Sequence, residues 1–62
     1  MKIYAWLLKK GMKFTFKNKI YEVCDIIQCG TTKTSVYVNN DFSKPFRRFL
    51  NHKELEVVNY HL

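Results

Sequence analysis

Apolar and polar residues alternate strictly over residues 12–17, where Met12, Phe14 and Phe16 are interleaved with Lys13, Thr15 and Lys17. A period of two predicts a strand with one dry and one wet face. The wet face here is cationic. Asn18-Lys19 then reads as a tight turn, because Asn18 accepts a left-handed backbone at low cost. A second strand is expected over residues 20–28. Tyr21 and Val23 share one of its faces, after which Ile26 appears on the other. This change of phase predicts a bulge or sharp bend near Cys24-Asp25. Residues 29–33 (CGTTK) form a turn. A third strand over residues 34–39 points Val36 and Val38 inward and Tyr37 outward, and Asn39, Asn40 and Asp41 close it as a loop.

The C-terminal third is less regular. Residues 45–50 (PFRRFL) fit a fourth strand by their aromatic content and a helical turn by the spacing of Phe46, Phe49 and Leu50. Residues 51–54 (NHKE) read as a single helical turn, with Asn51 as its cap and Glu54 in the capping-box position. A last strand over residues 55–60 places Leu55 and Val57 on one face, Val58 and Tyr60 on the other. Ahead of Gly11 the apolar run 3–8 (IYAWLL) is too short to assign by period, so residues 1–10 are an N-terminal extension, either a short helix or an edge strand.

The expected fold is therefore mainly β, a five-stranded, strongly bent antiparallel small barrel with a short helical turn before the last strand. It occupies residues 1–62 as a single domain. This order, together with the LxxG lead-in of Leu8, Lys9, Lys10 and Gly11 and the helical turn NHKE, resembles the SH3-like small β-barrel over residues 8–60. The resemblance implies a fold used for binding nucleic acid, peptides or proteins more than for catalysis, and fold alone does not settle function.

A chain of 62 residues buries only about 60% of the surface its unfolded chain exposes, less than a larger domain does, so its stability is marginal unless it packs well or gains a partner. Eleven Lys and Arg against five Asp and Glu give a formal charge of +6 and a pI near 9.6. A field of that sign favours polyanions: DNA or RNA first, then an acidic protein surface. Lys13, Lys17, Lys19, Lys33, Tyr37, Arg47 and Arg48 are the candidate nucleic-acid contacts, supplying cations for phosphate and ring surface for bases. Lysine outnumbers arginine nine to two. Point charges on phosphate therefore dominate over the bidentate forks that read guanine, which predicts weak sequence preference.

The alternative is a protein-interaction module, a phage or mobile-element product that docks on and inhibits a host enzyme or pairs with itself as a homodimer. Its contacts are Tyr4, Trp6, Phe42, Val58 and Tyr60, more ring and apolar surface than so small a core holds. Catalysis is not expected. Ser35 and Ser43 lack an activating context, the carboxylates are scattered, and no phosphate loop is present. Cys24, Cys29, His52 and His61 miss the close-spaced pairs of zinc sites, so neither metal nor cofactor is expected. On one extended strand the two cysteines would stand roughly 17 Å apart, beyond disulfide reach. Reduced thiols and the absence of a long apolar run point to a cytoplasmic protein without a membrane span.

Overall fold

Turn chemistry sets the register of the sheet. In the computed structural model, which describes residues 1–59, β2 (Lys13–Phe16) and β3 (Lys19–Cys29) are joined by Lys17 and Asn18, with φ of 50° and 66°. A type I′ turn needs positive φ at both central residues, which Asn adopts readily and Lys at a cost of ~1–2 kcal/mol. The turn thus lies earlier than the expected Asn18-Lys19, pairing Phe16 with Lys19 and Phe14 with Tyr21. Side chains opposite one another in a ladder share a face, so this slip decides which rings meet.

Four further strands complete the sheet: β1 (Lys2–Tyr4), β4 (Lys33–Val38), β5 (Arg47–Leu50) and β6 (Glu54–Val57). Their order is β1-β6-β2-β3-β4-β5, with every neighbouring pair antiparallel. The expected five-stranded barrel is corrected in two respects. The sheet has six strands, and it remains open, with β1 and β5 as its edges. The extra strand comes from the N-terminal extension, where β1 pairs with β6 and is followed by a 3₁₀ turn over Ala5–Leu7.

β3 bridges the two halves of the fold. Its first residues pair with β2, its later ones with β4, and the register shifts between Val23 and Asp25. One extra residue there bends the strand and changes the face its side chains take, as the phase switch in the sequence requires. The core lies in the concavity of the bend. Phe14, Val23 and Val36 are fully enclosed, with Val38, Phe49, Leu55 and Val57 packed around them.

The gap between the sheet edges is filled by chain rather than by strand pairing. Ala5 and Leu8 are buried, and the Ala5 N–H donates to the Lys53 carbonyl at 2.9 Å. The expected helical turn at residues 51–54 is corrected as well. Residues 51–53 form a tight turn closed by the Lys53 N–H on the Leu50 carbonyl at 2.9 Å, and Glu54 already belongs to β6. Asn51 is drawn away from capping by distant partners. Its Oδ1 accepts from the buried Thr34 hydroxyl at 2.7 Å and its Nδ2 donates to the Thr31 carbonyl at 3.0 Å. The tight turn ties β5 to the β3–β4 hairpin.

Candidate nucleic-acid interface

Cross-strand register decides where the cations go. Arg47 lies opposite Val36 and Arg48 opposite Ser35, so adjacent arginines project from opposite faces of β5. Arg47 takes the concave face, where its Cζ stands 5.0 Å from the centroid of the Phe16 ring. Lys17 approaches the same ring at 5.5 Å, and Lys19 faces Phe16 across the hairpin. A ring quadrupole flanked by cations at this range favours both partners by ~0.5–1 kcal/mol at exposed positions.

These cations stand at the rim of an aromatic cluster. Phe16 meets Phe46 and Phe49 edge to face at 6.0 and 5.5 Å, while Tyr21 and Phe46 lie tilted at 4.3 Å. Phe14 and Phe49 sit inside the core; Phe16, Tyr21 and Phe46 are only half-buried and give the rim its ring surface. Beside Phe46 a groove of about 320 Å³ is lined by Val38, Asp41, Lys44 and Pro45. Its loop is ordered by Asp41. The Ser43 hydroxyl donates to the Asp41 carboxylate at 2.6 Å and the Ser43 N–H at 3.0 Å. The Ser43 hydroxyl, then its N–H and the nearby Lys44 charge, hold Asp41 below the usual carboxylate range.

Of the residues singled out in the sequence, Lys17, Lys19 and Arg47 are brought together here. Lys13, Lys33, Tyr37 and Arg48 belong to the opposite, outer face, across from Glu22, Cys29 and Leu50, Asp25, and Ser35 respectively. The single cationic face expected from alternation is thus divided. Among the described residues the ion pairs are those of the Met1 amine with Glu56 and of Lys10 with Asp25, the latter at 3.9 Å. The rim cations take part in neither.

The described residues of the alternative interface come from separate segments of the chain. Tyr4 and Trp6 lie in adjoining segments and are 41% and 42% exposed. Phe42 sits in the β4–β5 loop and Val58 follows β6, while Tyr60 lies outside the described residues. Sequence reasoning missed Phe16, Tyr21 and Phe46 as site residues, because strand alternation assigns such rings to the interior. The run Phe46-Arg47-Arg48-Phe49, arginine enclosed by aromatics, was the signal available.

Among the described residues no three His, Cys, Asp or Glu side chains are grouped to hold a metal ion, and no helix is long and apolar enough to cross a membrane. No family model matches this chain, and neither a curated protein nor a solved structure shows significant similarity to it.

Proposed function

We propose that this protein is a non-enzymatic nucleic-acid-binding module that takes single-stranded segments with little regard to sequence. The observation that carries this reading is the Lys17–Phe16–Arg47 arrangement, with Lys19 across the hairpin and the half-buried Tyr21–Phe46 pair beside it. Bases stack on ring surface whatever their identity, and cations at the ring margins meet the phosphates that follow. Duplex offers no free base faces to such a rim. The meander β2–β5 with β6 returning beside β2 also supports reading the fold as SH3-like in element order, a class that serves binding.

The division of the arginines supplies the test. In a titration of fluorescent single-stranded oligonucleotide, Arg47→Ala is expected to weaken binding by roughly tenfold, the scale of one lost stacking and phosphate contact. Arg48→Ala, on the outer face, is expected to change affinity by less than about twofold, the residue of a screened distant charge. Equal losses from both variants would mean that nonspecific net charge, and no built rim, attracts the ligand.

A further inference from the structure

We infer that the groove beside Phe46 is a base pocket that selects guanine, with Asp41 as the acceptor for its Watson–Crick edge, so that one position of an otherwise sequence-tolerant strand is read. The inference rests on the nucleic-acid reading given above. The loop after β4 builds the pocket. Asn39 and Asn40 take left-handed backbone, at φ 55° and 61°, which asparagine tolerates better than most residues. Their turn brings the Asp41 N–H onto the Val38 carbonyl at 3.1 Å, and the loop rejoins the sheet where the Phe46 N–H donates to the Val36 carbonyl at 2.8 Å. Asp41 and Phe46 thus return to the same end of β4 and line one groove with Val38, Lys44 and Pro45. Phe46 also belongs to the rim, where its ring meets Phe16 at 6.0 Å and Tyr21 at 4.3 Å. This shared side chain joins the groove to the Lys17–Phe16–Arg47 arrangement.

The polar groups of the groove select its occupant. Both hydrogen bonds from Ser43 end on Asp41 Oδ1, and among the described residues Oδ2 accepts none and forms no ion pair. The Ser43 bonds and the nearby Lys44 charge hold the carboxyl below its usual range, so at neutral pH Oδ2 is an acceptor only. Single-stranded bases are read on such edges. Adenine and cytosine offer an acceptor oxygen one amino group beside a ring nitrogen that repels it, and thymine one N–H between two carbonyls. Guanine alone presents adjacent donors, N1–H and the N2 amine, with no acceptor between them. Its O6 suits the Lys44 ammonium. A volume of about 320 Å³ lies at the small end of ligand sites and suits one base, with Val38, Pro45 and the Phe46 ring as apolar walls. Hydrogen bonds to a charged acceptor are about twice as strong as neutral ones, which gives the free oxygen its weight in the choice.

A base series on the intact, unaltered protein tests the pocket without any variant. The protein is titrated with oligothymidylate of about eight nucleotides and with the same oligomer carrying one central deoxyguanosine, deoxyinosine, deoxyadenosine or deoxycytidine. All are expected to bind in an Arg47-dependent way. Deoxyguanosine is expected to tighten binding roughly tenfold over thymidine, the discrimination of one good base contact. Deoxyinosine, which keeps N1–H and O6 and lacks the N2 amine, is expected to fall between the two. Asp41→Asn keeps an oxygen for Ser43 and turns the free acceptor into an amide donor, so it is expected to abolish the advantage of guanine. Equal affinity across the series, or tightest binding with adenine or cytosine, would overturn the base pocket while leaving the rim intact. Deoxyinosine matching deoxyguanosine, or a guanine preference undiminished in Asp41→Asn, would overturn the role given to Asp41. No binding of any oligomer would remove both this inference and the reading beneath it.

Discussion

Lys17 holds a left-handed backbone at φ 50° while its ammonium stands 5.5 Å from the Phe16 centroid. A lysine is an expensive choice for that turn position, and strained backbone of this kind collects at functional sites. Lys17→Asn is expected to raise unfolding free energy by about 0.5–1 kcal/mol, since Asn suits the conformation better, and to weaken oligonucleotide binding a fewfold by removing one phosphate contact. Urea unfolding and a binding titration on one preparation check both signs. Asp41 gives a pH prediction. Its folded pKa lies below the usual 3.8, so the loop order it contributes is complete above the unfolded value and is lost as pH falls through the folded one. The carboxyl resonance of Asp41 is expected to titrate below pH 3.8. Ser43→Ala, which removes the strongest cause, should move the midpoint upward toward that value. An unmoved midpoint would show that the Ser43 hydroxyl does not set it.

Among the elements, the turn after β5 depends on one side chain. Asn51→Ala leaves the buried Thr34 hydroxyl without its acceptor, which costs about 1–3 kcal/mol. Adding Thr34→Val removes the orphaned donor, so the double variant is expected to recover part of the loss in urea melts, a coupling that independent sites would not show. The same turn marks where sequence stops being legible. Asn51 three residues before Glu54 has the local look of a helix cap, and only the distant Thr34 and Thr31 reveal that its amide is committed elsewhere. Signals that live on neighbouring residues were readable. The alternation over residues 12–17 placed Met12 and Phe14 inside, and the phase switch at Cys24-Asp25 marked the bulge found between Val23 and Asp25. The three-residue β1 was beyond any period, because so short a segment becomes a strand only by pairing with β6. The rim was legible in its residue types and not in its grouping. Arg47 and Arg48 are equal in sequence, and the ladder register alone sends them to opposite faces.

On the scale of the whole molecule, a small open sheet carries a charge of +6 with almost none of it neutralised by ion pairs among the described residues. Cations on β1 and β5 also keep the free edges from pairing with other sheets. That protective role needs no particular partner and no salt-dependent binding. A rim built for a strand does. For single-stranded ligand each neutralised phosphate contributes roughly 0.7 to the slope of log affinity against log salt, so Lys17, Lys19 and Arg47 together correspond to about −2. The most direct measurement is therefore the salt dependence of oligonucleotide binding, taken upward from about 50 mM, for the unaltered protein and for Arg47→Ala. A slope near −2 that becomes shallower by about 0.7 in the variant is the expected result. Undetectable binding at the lowest salt, or an affinity indifferent to salt, would contradict a nucleic-acid interface at the Phe16 rim.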